Sequence, residues 1–201
     1  TIIGAGKDRA EAEAVHVFSV NGLRLGVLGF TSTHPRQAWA KASRPGVAYS
    51  DFDRLALVIG AAKKKCDALV VSFHGGTELA ELPNQIQRGF GRLAIDAGAD
   101  IVIGHHPHKL QPVEVYKGKP ILHSIGNFLF VSPSTGTNLS VIVKAVLTER
   151  GVASVDFEPI DINWGSLRHA GPSEAHSIFE ALDRLGALTQ HPALLKVRLL
   201  R

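Results

Sequence analysis

Ten histidines stand in a chain of 201 residues, and five of them, His74, His105, His106, His108 and His123, fall within one stretch of fifty. Imidazole is the commonest ligand for zinc-, iron- or manganese-type ions, and it is also the side chain best suited to proton transfer near neutral pH. His106 and His108 flank a proline, so in an extended loop both rings can converge on one ion. His74 opens a His-Gly-Gly turn, and Glu78 follows it by four residues. That carboxylate can act as a general acid or base, or fix an imidazole tautomer, or be a plain exposed loop residue. Asn127, in Ser124-Ile-Gly-Asn-Phe128, can donate to a substrate oxyanion or cap a turn. His123 lies inside an apolar run, where a hydrogen-bonded core histidine and a ligand both remain open. His16, His34, His169, His176 and His191 have no such company and read as structural or surface residues.

The elements that must position these residues are legible in the apolar pattern. Val15 to Val20 and Leu23 to Phe30 flank Asn21-Gly22, the strongest short hairpin signal. Residues 31–50 read as loop. Ser50 offers a helix N-cap, with Phe52, Leu55, Ala56 and Ile59 on one face of the helix that follows. Asp67 to Phe73 is a continuous apolar run that suits a strand buried on both faces, and it leads into His74. After Pro83, Ile86, Phe90, Leu93, Ala94 and Ala97 mark a second helix, with Gly98 as its stop. Asp100 to Gly104 is a further buried strand, and it leads into His105. Strand, helix, strand, helix, strand predicts a parallel α/β layer. Both histidine groups then sit at carboxyl ends of its strands, where such sheets hold their ligand crevice. The remainder reads as antiparallel. Gln111–Tyr116 and Pro120–Ile125 flank one turn, Leu139–Thr148 and Ala153–Ile160 flank another, and a last helix runs over Ser173–Leu185.

Composition narrows the classes. The net charge is +4 and mostly scattered; its one run, Lys63-Lys64-Lys65, falls where a helix ends and reads as a solvated terminus. With two Trp and two Tyr available for stacking, no nucleic-acid partner is expected, whereas an acidic substrate is compatible. The apolar stretches fall short of the ~18 residues that span a bilayer. The single Cys66 precedes a buried strand and reads as a small core residue rather than a nucleophile. Gly4-Ala-Gly6 lacks the third glycine or the Lys-Ser/Thr pair that would complete a phosphate cradle. The chain contains no methionine, even at position 1, and reads as a piece of a longer protein.

Three segments together resemble the bacterial capsule-synthesis family, the CapA-type proteins of poly-γ-glutamate biosynthesis. They are Val70-Val-Ser-Phe-His-Gly-Gly-Thr-Glu78, Ala97-Gly-Ala-Asp-Ile-Val-Ile-Gly-His-His-Pro-His108 with Gln111-Pro112, and Gly118-Lys-Pro-Ile-Leu-His-Ser-Ile-Gly-Asn-Phe128. The resemblance runs from about residue 3 to 130 and implies a calcineurin-like metallophosphatase fold, an α/β/β/α sandwich. Residues 1–201 would be a single domain, the C-terminal portion of a larger one. It further implies a site for divalent ions (Mn, Zn or Fe) with His74, His106 and His108 as metal-site histidines. Glu78 would sit beside them, and His105 would hold a more variable position; these two are the catalytic candidates. Asn127 and His123 are the substrate-binding candidates, His123 standing where the family usually has an aromatic residue. The early Asp or Asp-x-His strand end and the Asn-Asn-His…Asp segment of the family have no counterpart here, so the missing N-terminal portion or a second copy is expected to supply partners.

The function so implied is metal-assisted hydrolysis or transfer on a peptide-like or phosphorylated polyanionic substrate. Two rivals keep the fold: a metal-independent epimerase working by His/Glu acid–base chemistry, and a non-catalytic scaffold of a polymer synthesis or export complex. The resemblance points outside the cytoplasm, and the epimerase reading inside it.

Overall fold

A computed structural model describes residues 1–130, 134, 136–163 and 166–197. Its centre is a six-stranded sheet in the order β2-β3-β5-β6-β8-β7. β2 (His16–Val20) and β3 (Leu23–Thr31) form the expected hairpin, with Asn21 and Gly22 both at positive φ as a tight two-residue turn requires. β3, β5 (Ala68–His74), β6 (Ile101–His105) and β8 (Lys119–Ile125) run parallel, and β7 (Leu110–Tyr116) closes the far edge antiparallel to β8.

Alternation along the strands divides the core in two. Leu69, Val71 and Phe73 of β5, with Val102 and Ile121, meet α2 (Phe52–Lys63) and α3 (Gln85–Asp96) through Leu55, Ile59, Phe90 and Ala94. Phe90 stacks on Phe73 at 3.9 Å between centroids and meets Phe30 edge-on at 6.0 Å. Each such fully buried side chain contributes about 1.5–3 kcal/mol through the surface it removes from water. On the other face Ile101, Leu122 and Val113 meet a second sheet, in which β10 (Gly151–Asn163) pairs with β9 (Leu139–Thr148), β11 (Ser166–His169) and β12 (Leu195–Val197). α4 (Pro172–Asp183) and α5 (Ala187–Gln190) pack beside β7 and put Ile178, Leu182 and Leu188 into the same inter-sheet core. Helices, sheet and sheet therefore stack in the order expected of an α/β/β/α sandwich, and α4 and α5 close the inter-sheet core at its β7 edge.

Several local expectations change. The 31–50 segment is ordered: it contains a 3-10 turn at Arg36–Ala38 and β4 (Gly46–Val47), which pairs with β1 (Ala5–Gly6) just before α1 (Arg9–Ala12). Asp51, rather than Ser50, caps α2, accepting from the Asp53 N–H. Ile86 lies on the open side of α3, whose start is fixed instead by a reciprocal capping box between Asn84 and Gln87. The last helix stops at Asp183, whose carboxylate then caps α5. Lys63 is not a solvated terminus: its Nζ is 2.7 Å from the buried Asp100 carboxylate and also donates to the Asp67 carbonyl. Cys66 is buried, as expected, with its thiol donating to the Ala62 carbonyl.

Candidate functional site

The parallel register sets Thr31, His74 and His105 side by side at the carboxyl ends of β3, β5 and β6. By strand parity all three point away from α2 and α3, toward the face that the N-terminal segment covers. A cavity of about 270 Å³ lies there, lined by Gly4, Gly29, Thr31, His34, Ser72 and His74 among others. Two glycines let the chain leave β5 at this point. A Cβ on Gly75 would stand 2.3 Å from the Ser32 hydroxyl, and Gly76 has φ +130 with the Gln87 amide where a side chain would go.

The second loop is strained. His106 and His108 both have positive φ, +101 and +60, which costs of order 1–3 kcal/mol for a residue other than glycine. The strain turns His106 back toward β5, where its Nδ1 is 3.2 Å from His74 Nε2. The Leu79 N–H donates to the Pro107 carbonyl and clips the two loops together. This brings the exposed Glu78 close enough for its charge to act on His106.

His108 faces Asn127, at 2.7 Å between Nδ1 and Oδ1. The other end of this buried amide is fixed, because Asn127 Nδ2 donates to the Thr137 carbonyl at 3.1 Å. Asn127 Oδ1 must therefore accept, and neutral His108 must carry its proton on Nδ1, leaving the Nε2 lone pair available. Phe130 stacks on the same ring at 5.0 Å.

Burial, reinforced by the neighbouring His106, His105, His34 and His108, pushes His74 down to about 4. Burial also lowers His105 and, chiefly, His106, where Glu78 opposes it. At neutral pH His74, His105 and His106 are thus uncharged imidazoles with lone pairs to offer. A metal ion needs several of them at once. His74 Nε2 and His106 Nδ1 converge, but His108 Nδ1 is held by Asn127, and among the described residues no group of three or more His, Cys, Asp or Glu side chains is placed to hold an ion. The described donor set does not by itself fit a bound metal.

Other expectations sort as follows. His123 is placed outside this cluster: its side chain is 1% exposed and its Nε2 is 3.0 Å from Glu114, which Arg92 also engages at 2.7 Å. It is a buried core histidine in the middle of β8, hydrogen-bonded to Glu114 and apart from the cluster. His34, read from sequence as a structural or surface residue, is exposed and lies at the edge of the cluster. It lies parallel to His74 at 6.3 Å between ring centroids, and Trp39 Nε1 donates to its carbonyl. The signal was present: His34 follows the end of a parallel strand, as His74 and His106 do.

With this geometry, the comparisons with known proteins decide the family. The profile of the bacterial capsule synthesis protein PGA_cap matches residues 1–132. The chain belongs to that family. It is 40% identical over 163 residues to the PGA biosynthesis protein CapA of Bacillus subtilis, covering 81% of this chain and 43% of that protein. It is 38% identical over 168 residues to the capsule biosynthesis protein CapA of Bacillus anthracis, covering 82% and 41%. The capsule-family chain thus spans about two-fifths of the length of these curated relatives. Among solved structures, the sulfate thiohydrolase SoxB of Thermus thermophilus in complex with glycerol superimposes with a TM-score of 0.49 and 17% identity, over 89% of this chain and 29% of that one.

Proposed function

We propose that this protein serves in making or processing a capsule-type acidic polymer such as poly-γ-glutamate, and that the strand-end histidine cluster is its reaction centre. The reaction is hydrolysis or transfer at an acyl or phosphoryl group of a peptide-like or phosphorylated polyanionic substrate. The observation that carries this reading is the convergence of His34, His74, His106 and His108 from three loops onto one strand end, with His74 held neutral down to about pH 4. Structural histidines have no need of one another, and holding His74 and His106 neutral through burial and neighbouring rings costs stability unless a ligand uses them.

The chemistry follows from the protonation states. His74 and His106 share one hydrogen bond, so one presents a lone pair while the other presents an N–H, which is the pairing needed to take a proton from an attacking group and return it to a leaving group. Glu78 favours the charged form of His106 at the moment it forms. His105, at the end of β6 beside His74, is made less basic by its partial burial. Asn127 sets the tautomer of His108, and in this reading it acts through that ring.

The test is polymer formation by the intact protein carrying His74→Ala or His106→Ala. The proposal expects loss of at least about a hundredfold, the ordinary scale of general acid–base catalysis. Full activity in both would leave only a scaffold role. Elemental analysis of the same preparations, with activity before and after chelation, separates metal-assisted chemistry from proton transfer by His and Glu alone.

A further inference from the structure

A second cavity, of about 420 Å³, lies beside the histidine cluster and is built from segments that the reaction centre leaves unused. Its walls carry Arg9, Arg36, Lys41 and Arg54 against two carboxylates, Glu13 and Asp51. Both carboxylates are already engaged: Glu13 accepts from Arg54 at 3.1 Å, and Asp51 caps α2. Among the described residues, Arg9, Arg36 and Lys41 have no carboxylate partner. Arg54 also keeps its Nε buried without a hydrogen-bond partner.

Hydrogen bonds fix the backbone segments that carry the exposed cations Arg9, Arg36 and Lys41. The Arg9 N–H donates to the Lys41 carbonyl at 2.9 Å, which ties the start of α1 to the loop. Arg44 donates to the carbonyls of Arg36 and Trp39, both at 3.0 Å, and so staples the turn that carries Arg36. The Arg36 guanidinium lies over the Trp39 ring at 5.7 Å, and Tyr49 stacks on that same indole at 3.5 Å. The indole therefore orients an arginine and is already engaged by a neighbouring ring, which makes the cations, not an aromatic face, the recognition element. Two contacts tie the pocket wall to the cluster: Trp39 donates to the His34 carbonyl at 2.7 Å, and Tyr49 bridges to Thr31 at the end of β3.

We propose that this pocket is a docking subsite for the carboxylates of an acidic, peptide-like chain, holding it while a neighbouring unit lies at the histidine cluster. The assignment rests on the reaction-centre reading for its direction and on the pocket's own charge for its ligand. Several carboxylates of one chain suit it because three cations without a carboxylate partner among the described residues, at residues 9, 36 and 41, line one pocket.

The experiment is fluorescence anisotropy with a labelled γ-linked glutamate oligomer on the intact protein, against Arg9→Gln, Arg36→Gln, Lys41→Gln and the triple variant. Each single change should weaken binding about three- to tenfold, and the triple variant should also flatten the salt dependence, since exposed charge-assisted contacts are screened. Arg36→Lys should retain most of the affinity, and unchanged urea midpoints would show that the variants are folded. Wild-type affinity in the triple variant, or no oligomer binding by the wild type, overturns the subsite. Equal or tighter binding of polyphosphate or single-stranded DNA through the same three residues overturns the carboxylate assignment. Because this assay reads binding, and the His74→Ala test reads polymer formation, either proposal can fail while the other stands.

Discussion

The sharpest consequence of the site geometry concerns Asn127. Its side-chain amide joins the Thr137 carbonyl, at 3.1 Å, to His108 Nδ1, at 2.7 Å, and the residue is only 6% exposed. Asn127→Ala removes both contacts at once. The Thr137 carbonyl loses this donor, a change on the scale of one net hydrogen bond, about 0.5–1.5 kcal/mol. The half-buried His108 can turn its N–H toward water, so its share is smaller, and the sum is about 1–2 kcal/mol of folding stability. Asn127→Asp should behave differently, because a carboxylate keeps the acceptor for His108 while losing the donor to Thr137. It should lose comparable stability yet hold the same tautomer, whereas the alanine variant should let both tautomers populate. Urea unfolding supplies the first quantity. Long-range proton–nitrogen correlation spectra of the imidazoles supply the second, since the protonated and bare ring nitrogens have distinct shifts. A wild-type His108 protonated on Nε2 would refute the reasoning outright, because the Thr137 carbonyl leaves Asn127 Oδ1 no other role than acceptor.

Other expectations follow from the same structure. His74 binds its proton at about 4 when folded and at 6.5 in the unfolded chain, so between these values the unfolded state takes up the proton and stability falls as pH drops through that window. The melting temperature of the wild type should therefore fall more steeply from pH 6.5 to 4 than that of His74→Asn; identical slopes would show that His74 is not held neutral. Glu114→Ala leaves the buried His123 Nε2 without its hydrogen-bond partner and should cost about 1–3 kcal/mol in urea unfolding, the scale of an unsatisfied buried polar group. Gly104→Ala would put a Cβ 2.0 Å from the His123 carbonyl oxygen, which neither β6 nor β8 can avoid without parting. A loss of about 3 kcal/mol or more is expected, and a near-neutral result would place the two strands further apart than described.

What could be read from sequence, and what could not, divides along physical lines. Local pattern sufficed wherever hydrophobic period and turn chemistry agree. The Asn21-Gly22 hairpin, the buried runs before His74 and His105, and the Gly98 stop of α3 all fall where the residues put them. Segments stabilised by distant partners were not legible. Ser50 precedes α2 as a good cap should, but Thr31 draws its backbone into register with β3, and the cap passes to Asp51. β4 is two residues long and exists because β1, forty residues away in sequence, accepts it. His34 is exposed, as its sequence suggests, but its place beside the cluster depends on a distant partner: His74 reaches it through the parallel pairing of β3 with β5. His123 shows the converse: an apolar strand around a histidine means burial, and burial calls for an acceptor, which β7 supplies as Glu114.

The two ends of the parallel sheet have opposite physical characters, and this accounts for where a reactive site is possible. At the amino ends, burial alone would raise the Asp100 carboxyl, yet hydrogen bonds from Lys63, the Leu69 N–H and Lys119 hold it below the usual carboxylate range. These contacts tie the end of α2 and the starts of β5, β6 and β8 into one charged lock. At the carboxyl ends the backbone takes positive φ at His106 and His108, imidazoles crowd one another, and glycines replace side chains. Such an end is stable only because the strands entering it are already fixed in register from behind. Loosening the lock should therefore reach the site: Asp100→Asn keeps an acceptor but weakens the hold on both lysines, and it should broaden the imidazole resonances of His74 and His106 before it unfolds the protein. If the sheet instead melts as one unit, with no change at the histidines below the transition, the two ends are not coupled in this way.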